Sequence, residues 1–240
     1  MLKKSFFILL GLVISNQGLF ALQSLDYHQH RTFGIKLHSG GWGINYGYFM
    51  PKKNKGGHYI YAGYMNQKYI NEKKDSRELQ NARMVINKIN NLYFFKIGYG
   101  QIHPIFDRDN RSSVGLSAMW NIGPMLAIYK PIYIIYSNTV DTNFKTEDIA
   151  RYNPAIHSPR NIVDKSRFWE GAEQSKIKIG LHLKASLRFD WGAYESNFKG
   201  IETGFNVQYI PNGETIIYSF KPRNVYTNFF ATITFGRITD

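Results

Sequence analysis

Residues 176–191 read K-I-K-I-G-L-H-L-K-A-S-L-R-F-D-W. Every second residue from Ile177 is apolar: Ile, Ile, Leu, Leu, Ala, Leu, Phe, Trp. The alternate set from Lys176 is Lys, Lys, Gly, His, Lys, Ser, Arg, Asp. Successive side chains of a strand point to opposite faces, so this stretch sorts as one strand between an oily medium and a wet one. A helix would bring Lys176, Ile179 and Gly180 to one side and sort nothing. The stretch also exceeds the usual strand of about five or six residues, whereas a tilted membrane-crossing strand needs about nine to eleven. The reading is a transmembrane β-barrel strand with its apolar face to lipid and its basic face to the lumen.

The same alternation recurs on both sides. Phe33, Ile35 and Leu37 alternate with Gly34, Lys36 and His38, and Gly40-Gly41 offers a hairpin turn. Trp42, Ile44, Tyr46, Tyr48 and Met50 follow, then a turn at 51–57 and a third strand at 58–70 in which Tyr59, Tyr61, Met65 and Tyr69 share a face. Residues 71–82 are polar and read as a loop, and 83–89 as a short strand ended by Asn90-Asn91. Tyr93 to Tyr99 alternate, 103–111 is a loop, and Val114 to Ile122 alternate up to a turn at Gly123-Pro124. Residues 125–137 are apolar on both faces apart from Lys130, which leaves their register open. Residues 138–174 show no sustained alternation and read as a long loop. Strands near 201–209 and 228–235 close the chain, the last with Phe229, Ala231, Ile233 and Phe235 outward.

This reading gives an all-β, closed antiparallel up-and-down transmembrane β-barrel of ten strands, with eight as the alternative. Single-chain bacterial barrels have even strand numbers and short periplasmic turns. With a periplasmic N-terminus, the short turns are 51–57, 90–91, 123–124 and 192–199. The outer loops are then 40–41, 71–82, 103–111, 138–174 and 211–223.

Composition bounds the class. The chain has 240 residues, with 17 Tyr, 17 Phe and 4 Trp, and a formal charge of +13. Its mean hydropathy of -0.34 excludes a polytopic helical membrane protein but not a barrel, whose strands are half polar. The absence of Cys excludes disulfides, thiolate metal sites and a lipoprotein anchor. Residues 1–21 read as a signal peptide: Lys3 and Lys4, an apolar run from 6 to 14, and Ala21 as the last residue. Residues 22–30 form a periplasmic segment and 31–240 the barrel. Export makes nucleic acid an unsuitable partner for the positive charge. The partners expected are outer-membrane lipid, lipopolysaccharide phosphates engaged through Lys and Arg, and the barrel-assembly machinery.

Residues 88–132 (K-I-N-N-L-Y-F-F-K-I-G-Y-G, then S-S-V-G-L-S-A-M-W-N-I-G-P-M-L-A-I-Y-K-P-I) resemble a family of outer-membrane proteins of Bacteroidota-type bacteria with no assigned activity. The ending N-F-F-A-T-I-T-F-G-R-I is similar to the final strands of such barrels, although the chain closes on Ile238-Thr239-Asp240 rather than a terminal Phe. The resemblance implies a fold and a location and brings no catalytic residue.

The candidate site is the lumen-facing polar set: Lys36, His38, Lys96, Lys178, His182, Lys184, Arg188, Asp190 and Glu202. It reads either as a basic path for small anions or as a structural network filling a narrow bore, and the second fits a barrel near the eight-stranded size. Pairing across 192–199 sets Arg188 opposite Glu202, Lys184 near Asn206 and His182 near Gln208. His103 with Asp107 and Asp109, and His157-Ser158 with Asp164, are the groups a rim hydrolase would use, but their spacing matches no catalytic signature. Alternation turns only part of the set His28, His30 and His38 to one face, so no metal site is expected, and no phosphate loop or dinucleotide fingerprint occurs, so no cofactor is. The expectation is a structural or binding barrel displaying loops. A rim hydrolase, an anion channel and a soluble periplasmic barrel around an apolar ligand are the alternatives.

Overall fold

The computed structural model describes residues 29–52, 56–69, 72, 85–106, 114–137, 147–191 and 197–238. The expected signal peptide, most of the segment 22–30 and nearly all of the loop 71–82 lie outside the described residues.

Eight strands close into an antiparallel barrel: β1 (His30–His38), β2 (Gly41–Pro51), β3 (Gly57–Gln67), β4 (Asn90–Phe106), β5 (Gly115–Pro131), then β9 (Lys176–Trp191), β10 (Asn197–Tyr209) and β11 (Val225–Ile238). Each pairs with its chain neighbour, and β1 pairs with β11 to shut the cylinder, with Phe33 opposite Phe235 and Lys36 opposite Thr232. Between β5 and β9 the chain makes a small sheet of β6 (Tyr133–Ser137), β7 (Glu147–Arg151) and β8 (Ile162–Lys165), in the order β7-β6-β8.

The eight-stranded alternative is therefore the observed one, and two expected strands are absent for separate reasons. Gly123-Pro124 is no turn. β5 runs straight through it, with Gly123 opposite His182 and Pro124 opposite Leu181 of β9. Pro124 has no N–H to give toward β4, and the β4–β5 ladder skips from Lys96–Met125 to Tyr99–Ile122 without changing register. The proline interrupts one ladder while the other holds the strand. Of the expected strand 83–89, residues 83 and 84 lie outside the described residues. Residues 85–89 hold a turn with Asn87 at φ 63° and a single bridge from Lys88 to Ile217. Asn90-Asn91 begins β4 instead of turning the chain.

The recount moves one connection. β4 runs to Phe106, so His103 and the loop after it lie at the end of the barrel that holds both termini. The connections at that end span 52–56, 107–114 and 192–196; those at the other end include 68–89, 132–175 and 210–224. Long loops thus gather opposite the termini, as in barrels of the outer membrane.

Burial is inverted relative to a soluble protein. Along β9 the exposures of Ile177, Ile179, Leu181, Leu183 and Leu187 run from 41% to 70%, while Lys184 is at 0% and Arg188 at 2%. Phe33, Ile35, Leu37, Ile97, Ile122, Phe229 and Ile233 extend this apolar band around the wall. A soluble barrel around an apolar ligand requires the opposite arrangement.

Close strand approach depends on small inward residues. A Cβ at Gly100 would lie 2.6 Å from the Asn121 Cα and closer still to the Trp120 carbonyl oxygen. Gly100→Val is therefore expected to abolish the compact, heat-sensitive band of a folded barrel on an unheated denaturing gel. Outward Ile97→Val should keep it. Retention of that band by Gly100→Val would show that β4 and β5 can separate without loss of the cylinder.

Candidate functional site

Two apolar clusters fill the bore, with charged side chains among them. Nearest the termini, Phe49, Tyr59, Tyr61, Ile102 and Met119 form an apolar layer, with His30 stacked on Phe49 at 4.6 Å between centroids. Nearest the long loops, Met65, Leu92, Phe94, Met125, Ala127, Tyr129 and Tyr226 of the wall meet Ile210, Ile216 and Ile217 of the 210–224 loop. That loop folds into the mouth and is held there by the Ile89 amide donating to the Ile216 carbonyl (2.9 Å), the Tyr218 amide donating to Asn87 (2.8 Å) and the Asn90 side chain donating to Thr215 (2.7 Å). The Lys88–Glu72 ion pair (2.6 Å) sits beside it, and burial holds the Lys88 ammonium below the usual lysine range against the pull of Glu72.

Charged groups are interleaved with these apolar side chains, and Arg188 and Asp190 lie on the terminal side of Met119, which is opposite Ser186. Lys184 donates to Glu202 at 2.6 Å, and the Ser186 hydroxyl donates to the same carboxylate oxygen at 2.6 Å. Arg188 donates to Asp190 at 2.9 Å. Lys36 donates to the Tyr61 hydroxyl (3.3 Å) and lies 4.2 Å from the Phe230 ring. Lys184 lies 4.8 Å from the Tyr61 ring, so two ammonium groups share an aromatic lining that favours cations. With the Gln208 amide oxygen turned toward it, Lys96 has an acceptor at 2.8 Å, and the Gln208 nitrogen then donates to the Tyr226 carbonyl at 2.8 Å. His182 bonds Asn121 at 3.2 Å.

Of the nine residues expected in the lumen, Lys36, Lys96, His182, Lys184, Arg188, Asp190 and Glu202 are buried in this interior. His38 is at the loop-side end, where its Nδ1 accepts from the Gly40 amide and secures the β1–β2 turn. Lys178 is half-exposed at the mouth, where it and Lys176 share Glu214 at 3.4 and 3.1 Å. The cross-strand register is the expected one: Glu202 opposite Arg188, Asn206 opposite Lys184, Gln208 opposite His182. The Glu202 carboxylate nonetheless reaches along β9 past Ser186 to Lys184, four residues from its cross-strand partner Arg188.

Sequence reasoning missed the inward aromatics. On β3 the large residues Tyr59 and Tyr61 face inward, and Ile60, Ala62 and Tyr64 face out. The available signal was the inward glycines around them. The Tyr59 ring occupies the place of a Cβ at Gly47, and Tyr61 that at Gly63.

The two rim-hydrolase groups lie at opposite ends of the barrel. His103 is at the terminal end and bonds Gln101; Asp107 and Asp109 lie outside the described residues. At the opposite end, the His157 Nδ1 accepts from the Asn153 amide, and Asp164 accepts from the Lys165 amide. Among the described residues no cluster of His, Asp and Glu could hold a metal ion. Such a set can fill the bore, pair two of its four cations with its two carboxylates and set strand register. Its side chains border no water-sized space at Lys184, which is 0% exposed.

No protein-family model matches the chain, and no curated protein matches it. Several solved structures do. The chain is similar to Neisserial surface protein A, NspA (TM-score 0.40, 11% identity, 88% of this chain and 96% of that one). It is similar to the N-terminal β-barrel domain of OprF from Pseudomonas aeruginosa (TM-score 0.37, 11% identity, 89% and 98%). It is also similar to Ail, the attachment invasion locus protein of Yersinia pestis, solved with the heparin analogue sucrose octasulfate (TM-score 0.35, 12% identity, 88% and 96%). These neighbours are bacterial outer-membrane barrels. The likeness concerns barrel architecture alone, and the closure of this chain rests on its own strand pairing.

Two outcomes follow from the geometry. Glu202→Ala leaves Lys184 buried without its carboxylate and is expected to lower unfolding stability by about 3–5 kcal/mol. Lys184→Met combined with Glu202→Leu removes both charges and should recover most of that loss in urea titrations of the refolded barrel. A loss under about 1 kcal/mol for Glu202→Ala is the size of an exposed pair and would mean that the interior is wet. At the mouth, burial raises the Glu214 pKa, but hydrogen bonds and charge from Lys176 and Lys178 outweigh it and hold the carboxyl below its usual range. A lowered folded-state pKa contributes stability above the unfolded value of about 4.3, lost as pH falls through the folded one. Amide exchange in 210–224 should therefore accelerate only below about pH 4, with the barrel strands still protected.

Proposed function

We propose that the chain is an integral outer-membrane β-barrel of structural or binding type, exported by residues 1–21, that holds its long loops on the outer side. One observation carries this: the apolar residues form the exposed wall and the charged ones the buried interior. In water such a wall exposes far more contiguous apolar surface than a monomer tolerates; in a bilayer it is the expected solvent contact. Closure satisfies the backbone, which hydrocarbon cannot do. Arg31, Arg237 and Lys199 bound the band at the terminal end, where a headgroup layer accepts them. The likeness of residues 88–132 and of the chain ending to Bacteroidota-type outer-membrane proteins fits this placement.

The partners in this reading are the barrel-assembly machinery and outer-membrane lipid. Lipopolysaccharide phosphates would be met by loop cations such as Arg151, Lys165 and Arg167, all exposed. Nothing in the filled bore favours transport, and His157 and Asp164 are engaged by the backbone amides of Asn153 and Lys165.

Insertion into lipid vesicles tests the placement. Leu183→Arg sets a charge mid-wall and is expected to destabilise the inserted protein by about 2–4 kcal/mol. A leaderless protein that stays monomeric in water without detergent, indifferent to that substitution, would overturn the proposal. Planar bilayers holding the protein should stay electrically silent; steady anion-selective current would show an open bore.

A further inference from the structure

The excursion between β5 and β9 does not cap the mouth along its whole length. Its last part bends back over the outer wall. After β8, the Ser166 amide donates to the Tyr133 carbonyl at 3.0 Å, and reverse turns follow: Glu170 amide to Arg167 carbonyl (3.1 Å), then Ala172 amide to Trp169 carbonyl (3.1 Å). Gly171 holds φ at 72°, and the Tyr133 ring fills the place where a Cβ would stand. This knuckle sets Phe168 on the outward side of the barrel, 4.8 Å from the ammonium of Lys130 on β5 and 6.4 Å from the Tyr93 ring on β4. Lys130 is outward by alternation yet only 8% exposed, because the knuckle covers it. Trp169, at the tip and 5.2 Å from Phe168, is 78% exposed.

These rings continue a line. Trp42 on β2 meets Tyr64 on β3 at 5.7 Å, Tyr64 meets Tyr93 at 6.2 Å, Tyr93 meets Phe168, and Phe168 meets Trp169. The line runs along the loop-side edge of the apolar wall, where amphipathic rings anchor barrels at the headgroup level. On the next two strands it would break, because the residues level with Tyr93 are Ile128 on β5 and Ile177 on β9. The knuckle brings Phe168, with Trp169 beside it, onto β5, the first strand that lacks a ring at that height.

We propose that Phe168 and Trp169 are a loop-borne membrane anchor. They continue the outer aromatic girdle over β5 by entering the headgroup–acyl boundary of the bilayer that holds the barrel, and they tie the β6–β8 sheet to the lipid surface. The inference rests on the membrane reading above. The nearby charges, Lys130, Lys165 and Arg167 against Glu170 and Glu173, nearly balance, so the anchor is aromatic and needs no anionic lipid.

The test uses the full chain with Trp169 as its sole tryptophan, Trp42, Trp120 and Trp191 being changed to Phe. A companion keeps Trp42 alone, and both are placed in phosphatidylcholine vesicles. Headgroup nitroxide lipids should quench Trp169 strongly, deep acyl bromines weakly and aqueous iodide little, unchanged at high salt. If Trp42 is quenched by lipid but Trp169 only by iodide, the anchor is refuted and the membrane barrel stands. If neither is quenched by lipid, the membrane reading has failed and the anchor with it. Shielding of Trp169 that varies with protein-to-lipid ratio would assign the surface to a second copy and also overturns the anchor. Should the multiply substituted chains not fold, the difference in quenching between the unaltered protein and Trp169→Phe reads the same quantity. Phe168→Ala with Trp169→Ala should leave insertion intact and speed amide exchange across β6–β8; unchanged exchange counts against the tether.

Discussion

Closure of β1 onto β11 is the constraint on which the other features depend. A backbone exposed to hydrocarbon has no water to bond, so every wall N–H and C=O must find a partner within the sheet. The nine residue pairs from His30–Ile238 to His38–Phe230 remove the two edges that would otherwise be left. The sheet can tolerate a local lapse once closed, which is why Pro124 survives mid-strand: β9 binds one side of β5 without a break while the β4 side opens for a few residues.

Eight strands also set the width of the bore, which at this number is just enough for side chains to fill. The charged residues of the inner face then have no bulk water and must settle among themselves. Lys184 and Glu202 pair, Arg188 and Asp190 pair, and Lys36 and Lys184 line up against tyrosine and phenylalanine rings. Large rings fit because glycines face them, and the 210–224 loop seals the mouth with isoleucines. Burying ions is costly, and a buried pair is weak evidence for stability. What the pairs supply here is register: a one-residue slip of β9 would turn its leucines inward and its lysines into lipid.

The terminal wall and the loop end differ in how they meet their surroundings. The connections 52–56 and 192–196 are short. The loop end carries a second small sheet and an aromatic line that continues off the barrel onto the knuckle at Phe168. The wall is thus not built from barrel strands alone.

Alternation along 176–191 was enough to assign the strand, its two faces and, through 192–199, its register against β10, because period two is a local property of a pleated chain. The same local signal assigned β1, β2 and β11. It misled at Gly123-Pro124 because a glycine-proline pair marks a turn only when neither flank is already paired, and pairing is not local. It misled at 83–89 because a short apolar run does not say whether it joins the wall or the plug. Residues that alternate were settled by the sequence. Which of them lie at one height was settled only by closure and stagger, which brought Glu202 to Lys184 and not to Arg188, put His103 and His157 at opposite ends, and carried Phe168 out to Tyr93.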